Sequence, residues 1–287
     1  MRYATAAAFR MALEEHISRL HKTSNVAIAR LRKRIAFERF LKRLQAHPNS
    51  PWILKGAVAL DLRFGNRARA TKDLDLGVDS SIFGAVFNGP VEIARQLQAA
   101  AVTPIEDFFF FTLPGKGEDI PLEPGVRAYR FRVRVSLAER PFEEFRLDVG
   151  LNLQLVGPPE EIPGSDILTF AGFPRDRFRA IPLSQHFADK VHALTFPWKD
   201  RENTRVKDLV DLVLILEVGP PDPDSARLAL ETVFERRGTH PLPTRILDPP
   251  SLWAGPFHAS ATEIGLSHVT VDAAMEFLRA QWTRIFP

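Results

Sequence analysis

The chain has 287 residues, 45 % hydrophobic and 25 % charged, the balance of a globular protein and not of a disordered, collagenous or low-complexity one. It has no run of 18 apolar residues and no cysteine, which excludes a transmembrane helix, disulfides, thiolate metal sites and cysteine nucleophiles. The formal net charge is only +3, yet the first 47 residues hold eleven Lys or Arg against Glu14, Glu15 and Glu38, a local excess of +8. Such a segment points either to a polyanionic partner or to a solvated helix face. The Ala-rich stretch at residues 4–8 is too short for a secretion signal, so a cytoplasmic location is expected.

Residues 5–46 read as helical. Leu13, Ile17 and Leu20, then Ile28, Leu31 and Ile35, then Phe37, Phe40, Leu41 and Leu44 recur at helical spacing, with a break near Thr23-Ser24-Asn25. His47-Pro48-Asn49-Ser50-Pro51 ends this segment, because proline cannot continue a helix. A short strand or turn at Trp52-Ile53-Leu54 then leads through Lys55-Gly56 into a buried helix at 57–64, stopped by Gly65-Asn66. Leu74, Leu76 and Val78 alternate with Asp73, Asp75 and Gly77 in strand periodicity. A helix is predicted at 90–101 and strands at 108–113 and 128–137. A turn at Glu139-Arg140-Pro141 leads into a second hairpin strand at 145–155. After Pro182 helices are predicted at 184–194, 205–218, 224–237 and 271–285. The expected class is α+β: a basic helical segment over 1–47, a β-rich core over 48–181 and a helical bundle over 182–287.

Asp73 and Asp75 lie two apart on a predicted strand, so both carboxylates leave one face while Leu74 and Leu76 point into a core. Carboxylates this close repel unless a cation lies between them or one is protonated. A hard divalent ion such as Mg²⁺ takes one or two carboxylates plus substrate phosphates; the alternative is a merely solvated pair. Asp148, set against the apolar Leu147, Val149 and Leu151, would complete a two-metal phosphoryl-transfer site, or else is an edge-strand Asp paired to Arg132 or Arg146. Gly56 before a helix lets backbone approach an anion, though alone it is a common cap.

Lys190 borders the apolar stripe of Phe187, Val191 and Leu194, where it can reach a triphosphate or simply snorkel. Lys207 and Asp211 are spaced to pair along their own helix. His186 and His192, six apart, do not share a face as zinc ligands would, which leaves packing or exposure for both. The phenylalanines at 108–111 read as buried strand. Arg130, Arg132 and Arg134 share a strand face and can either track an RNA backbone or pair with acids next door.

Lys55-Gly56-Ala57-Val58-Ala59-Leu60 followed by Thr71-Lys72-Asp73-Leu74-Asp75-Leu76 resembles the first motif of the AbiEii family of nucleotidyltransferase toxins. Arg146-Leu147-Asp148-Val149 resembles the second motif, Ala188-Asp189-Lys190 the third, and Arg205-Val206-Lys207-Asp208-Leu209-Val210-Asp211-Leu212 the fourth. The stretch from Ser251 to Phe257 is also similar, without obvious chemistry. The likeness runs from about Trp52 to the C-terminus, but the phosphate loop has Gly56-Ala57 where relatives carry Gly-Gly or Gly-Ser. The resemblance implies a polymerase-β-like nucleotidyltransferase core with a mixed sheet. It implies Asp73, Asp75 and Asp148 as ligands of Mg²⁺ (or Mn²⁺), Lys190 and Asp211 as catalytic partners, and Lys55, Gly56, Thr71 and Lys190 around a nucleoside triphosphate. It further implies tRNA as acceptor and an AbiEi-type antitoxin as partner. A protein or small-molecule acceptor, or a non-catalytic RNA- or partner-binding module, are the alternatives. Asp73→Ala or Lys190→Ala is expected to abolish transfer in a folded protein, since neither side chain is assigned to the core. A phosphate on Thr71 would place close to two negative charges beside the carboxylate pair.

Overall fold

The basic N-terminal segment folds as two helices, α1 (Ala6–Ser24) and α2 (Ile28–Leu44), in a computed structural model that describes residues 2–79, 81, 89–120, 127–198 and 202–287. Thr5 caps the start of α1 by accepting from the Ala8 N–H, and Asn25, in the left-handed region at φ 57°, closes its end. The expected break therefore falls where an Asn tolerates that conformation. Phe9, Leu13 and Ile17 of α1 and Leu31, Ile35, Phe40 and Leu41 of α2 are buried in one cluster with the sheet. Ring contacts such as Phe37 on Phe145 (4.9 Å) and Phe40 on Phe111 (5.2 Å) knit the layers.

Among the described residues the strands are β1 (Trp52–Lys55), β2 (Asp73–Asp79), β3 (Phe109–Thr112), β4 (Glu118–Asp119), β5 (Ala128–Leu137), β6 (Arg140–Leu153), β7 (Glu160–Pro163) and β8 (Arg177–Ala180). They form one mixed sheet in the order β3-β5-β6-β2-β1-β8-β7, with β4 on β5. The β2–β6 and β1–β8 pairs are parallel and the rest antiparallel. Period-two alternation puts Leu74, Leu76, Phe131, Leu147 and Val149 on the helix-covered face and Asp73, Asp75, Arg130, Arg146 and Asp148 on the other. The hairpin turn differs from expectation. It is the two residues Ala138 and Glu139, both left-handed at φ 51° and 58°, and Leu137 already faces Arg140. Two left-handed residues match the twist of the flanking strands, so β6 starts at the turn itself. Pro141 is tolerated because the ladder shifts register opposite it, between Val135 and Ser136.

The remaining α-helices among the described residues are α3 (Gly56–Phe64), α4 (Pro90–Ala101), α5 (Leu183–Thr195), α6 (Val206–Val218), α7 (Pro223–Arg237), α8 (Ala254–Glu263) and α9 (Val271–Ile285). Helices α5 to α9 share a second hydrophobic cluster, and α3 joins the two: Val58, Ala59 and Leu62 belong to the sheet cluster, Leu60 to the bundle. Helix α8 and strands β7 and β8 were not anticipated. The Trp253 ring, 1 % exposed, fills the bundle core and donates its indole N–H to the Asn203 carbonyl at 2.7 Å, which gives the stretch around it a structural reason. No helix among the described residues is long and apolar enough to cross a membrane.

The N-terminal charges are used internally. Arg30 and Arg34 pair with Asp61, Arg39 and Arg43 with Asp107, Lys42 with Asp176, Arg32 with Glu14 and Lys33 with Glu143. Arg10 donates to the carbonyls of Leu137, Arg140 and Pro141. Four carboxylates from elsewhere in the chain, Asp61, Asp107, Asp176 and Glu143, thus take up part of the +8 excess, while Arg2, Arg19 and Lys22 remain exposed.

Candidate active site

Strand register lines up the charged residues. Lys55 faces Asp75, Asp75 faces Asp148, and Asp148 faces Arg130, a row crossing β1, β2, β6 and β5. One step along, Asp73 faces Arg146, which faces Arg132. Neighbouring strands lie about 4.8 Å apart, so Asp75 and Asp148 are held against each other by the sheet. Burial first, then the charges of Asp148 and Asp73, push the Asp75 carboxyl up to about 6, while Lys55 and Lys190 oppose this. The other two carboxylates carry arginine forks. Arg130 donates Nε and Nη2 to Asp148 at 2.7 and 2.6 Å, and Arg146 donates Nε and Nη2 to Asp73 at 2.5 and 3.1 Å. The edge-strand alternative for Asp148 is corrected here: β6 is interior, Asp148 pairs with Arg130, and Arg146 serves Asp73 instead.

Two glycines make this arrangement possible. Gly56 opens α3 at φ 66°, and a Cβ there would stand 2.0 Å from the Asp75 Oδ2. Any side chain at 56 would expel the carboxylate it abuts. At Gly150 a Cβ would lie 3.0 Å from the Lys55 Nζ, so the lysine stem crosses the sheet over a bare backbone. Thr71 sits just before β2, its hydroxyl donating to the Asp73 carbonyl and accepting from the Asp73 N–H, which fixes the strand's start.

The facing wall is α5 and α6. Lys190 places Nζ 2.6 Å from Asp208 and 2.7 Å from Asp211, and Asp211, 1 % exposed, also takes a fork from Arg69 at 2.9 Å on both oxygens. The two cations hold the Asp211 carboxyl below the usual range against burial, and Asp208 and Asp211 raise Lys190 despite its own burial. The i, i+4 pair of Lys207 with Asp211 does not form. Asp208 is as close to Lys190 as Asp211 is, although the resemblance implies Asp211 alone as its catalytic partner. Lys190 also proves to be largely buried, 13 % exposed, so removing it would leave two carboxylates without their counter-ion.

Between the walls lies a cleft of about 570 Å³. Lys55, Gly56, Asp75 and Lys190 line it together with Arg69, His186, Asp189, Trp198, Arg205, Lys207, Asp208 and Arg237. Asp73 and Asp148 flank Asp75 on the open sheet, and Thr71 lies outside the lining. Six cations against four carboxylates (Asp75, Asp189, Glu202 and Asp208) make the lining positive, which suits a polyphosphate. Sequence reasoning did not assign Arg69, Trp198 or Arg237 to the site and left His186 to packing or exposure, because only the fold brings the four to one cleft. Among the described residues no cluster of three His, Asp or Glu side chains stands ready as a metal cage. The donor chemistry nonetheless fits a hard divalent ion: Asp75 carries a charge its surroundings disfavour, and the two forks closing the neighbouring carboxylates belong to exposed or half-exposed arginines, Arg146 at 51 % and Arg130 at 36 %.

Comparison with known proteins bears on the family and the fold. Residues 39–287 match the family described as nucleotidyl transferase AbiEii toxin, type IV TA system, a match that begins inside α2 and so earlier than the motifs implied. Among solved structures the chain is similar to MenT4, a nucleotidyltransferase toxin from Mycobacterium tuberculosis H37Rv, with 17 % identity, a TM-score of 0.60, and coverage of 99 % of this chain and 90 % of that one. It is also similar to a "putative nucleotidyltransferase from H. pylori", with 17 % identity, a TM-score of 0.44, and coverage of 89 % and 99 %. The first likeness supports the fold. No curated protein sequence matches the chain.

Proposed function

The chain belongs to the AbiEii family of nucleotidyltransferase toxins, and on that premise we propose that it transfers a nucleoside monophosphate from a nucleoside triphosphate to the 3′ end of tRNA in the cytoplasm, releasing pyrophosphate and blocking translation. The observation that carries this reading is the Lys55–Asp75–Asp148–Arg130 row beside a cation-lined cleft. The N–H groups at the start of α3, bared by Gly56, and the ammonium of Lys55 hold the phosphates. Lys190, fixed between Asp208 and Asp211, faces the negative charge that grows on the departing pyrophosphate. Asp148, once Arg130 releases it, accepts the proton of the attacking hydroxyl. Asp73, Asp75 and Asp148 are the residues that would hold Mg²⁺ or Mn²⁺, which when bound supplies charge stabilisation at the transferred phosphoryl group. An AbiEi-type antitoxin is the proposed partner.

The test is to incubate the protein with Mg²⁺, total tRNA and each α-labelled nucleoside triphosphate in turn. Label is expected on tRNA with one nucleotide and absent with Asp75→Asn. Label on protein instead would keep the enzyme and replace the acceptor. No label and no nucleotide binding by folded protein would overturn the reading in favour of a binding module.

A further inference from the structure

His186 lies on α5 one turn before Lys190, hence on the same helical face, and its ring forms part of the cleft wall. It is 1 % exposed, and neither Nδ1 nor Nε2 has a hydrogen-bond partner. Glu14, Arg30, Arg32, Glu38 and Arg63 each leave one buried polar atom unpartnered, but every one of them bonds through another atom of the same side chain. His186 bonds through none. A ring buried in this way carries its desolvation penalty without return, and the cleft it lines offers a direction from which a partner can reach it.

The surroundings select the kind of partner. Burial, then Lys190, Arg63 and Lys55, hold the imidazole pKa well below its ordinary value, with Asp211 the opposing charge. The ring is therefore neutral, with one N–H donor and one acceptor nitrogen, in a field set by three cations. A carbonyl would satisfy the donor and ignore the field. An anionic oxygen satisfies both.

We propose that His186 is a phosphate-binding residue of the cleft, donating an imidazole N–H to a non-bridging oxygen in the polyphosphate chain of the bound nucleoside triphosphate. This rests on the reading of the cleft as a nucleotide site and adds a fourth phosphate contact to Lys55, Lys190 and the start of α3, one supplied by a neutral group. Being uncharged, it orders the chain without strengthening the hold on pyrophosphate as a further cation would.

The experiment measures binding by calorimetry for inorganic tripolyphosphate, for each nucleoside triphosphate and for the free nucleosides, on the wild type, His186→Gln and His186→Leu. The leucine variant is expected to lose about tenfold to a hundredfold in affinity for tripolyphosphate and triphosphates, the worth of a hydrogen bond to a charged group. The glutamine variant, which restores an N–H donor, is expected within about threefold of wild type. In ¹⁵N-histidine-labelled protein the His186 ring signals, identified by their absence from the variants, are expected to move when tripolyphosphate is added. Undiminished tripolyphosphate binding by a folded leucine variant, or ring signals that stay still, would overturn the proposal. Equal losses for nucleoside and tripolyphosphate would assign His186 to the core instead. Should the leucine variant not fold, the wild-type ring signals decide alone. A wild type that binds neither tripolyphosphate nor triphosphate would sink the nucleotide reading itself, a result distinct from a change confined to the variants.

Discussion

Helix α2 and the cleft are both rich in cations, and they dispose of them in opposite ways. In α2, Arg39 and Arg43 close on Asp107, which is fully buried, and Arg30 and Arg34 close on Asp61 of α3. Each carboxylate comes from a different part of the chain and ties the helix to the sheet layer. In the cleft, cations outnumber carboxylates, and Lys207 makes no ion pair with any described residue. Charge counted along the sequence is therefore a poor map of potential, because what a ligand meets is only the charge left after internal pairing. On that measure the paired cations of α2 are scaffolding, whereas the cleft keeps Lys207 outside any ion pair with the described residues.

The sharpest test of this contrast is Asp75→Asn. It is expected to lower transfer by roughly a thousandfold or more, about 4 kcal/mol of barrier, while the melting temperature rises, since burial and Asp148 already disfavour the ionised carboxyl. Radiolabel transfer and calorimetry on one preparation would read both. Asp107→Ala should do the reverse. It strands the buried Arg43 and leaves Arg39 with Asp176 alone, at an expected cost of about 3–5 kcal/mol in stability, and leaves triphosphate affinity unchanged in protein kept cold enough to stay folded. Loss of nucleotide binding there would break the division between scaffold and site. Lys190→Ala crosses the divide. It removes transfer and also strands Asp208 and Asp211, so the variant is expected to melt well below wild type, contrary to the sequence-based expectation of an intact fold.

Much of this was readable in advance, and the reason lies in periodicity. Alternation around Leu74 and Leu147 located β2 and β6 and put Asp73, Asp75 and Asp148 on one face, because a strand's period of two is a local property. The pairing of β2 with β6 is not local. Only the fold reveals that Asp75 and Asp148 are register partners, or that each flanking carboxylate wears an arginine fork. The hairpin turn misled for a related reason: Ala138 and Glu139 carry no signature of left-handed backbone, whereas Pro141 two residues on does look like a turn. Strands β7 and β8, four residues each, are too short to show a period. His186 and Arg69 carry no local mark at all, since their meaning comes from the wall they face.

Glu38 sharpens the comparison from the scaffold side. Burial pushes its carboxyl up to about 7, although the Ser165 N–H donates to Oε2. A folded pKa raised above the unfolded value near 4.5 means a stability contribution present at low pH and lost as pH rises from about 4.5 to 7. Glu38→Gln should abolish that decline and gain about 2 kcal/mol at pH 8 relative to wild type, with little difference at pH 4. Urea titrations at the two values would show it. A decline that survives the substitution would place the titrating group elsewhere.

The smallest effect tests the rule of leftover charge on the open sheet face. Arg132 and Arg134 are 61 % and 58 % exposed and share the single carboxylate of Glu144, at 3.4 and 3.1 Å. One glutamate cannot neutralise two guanidinium groups, so a positive charge remains beside Asp73 and the row through Asp75 and Asp148, unlike at Arg130, which Asp148 fully engages. Exposed pairs of this kind are worth about 0–1 kcal/mol, so Arg132→Ser with Arg134→Ser should leave the melting temperature nearly unmoved. If tRNA is the acceptor and its backbone crosses this face, the same double variant should flatten the salt dependence of tRNA affinity by about one to two units of slope, since each lost phosphate contact removes roughly 0.7–0.9. An unchanged slope would turn the acceptor's path away from β5 and toward the Lys207 rim of the cleft. There the analogous variant, Lys207→Ser, should then flatten it instead.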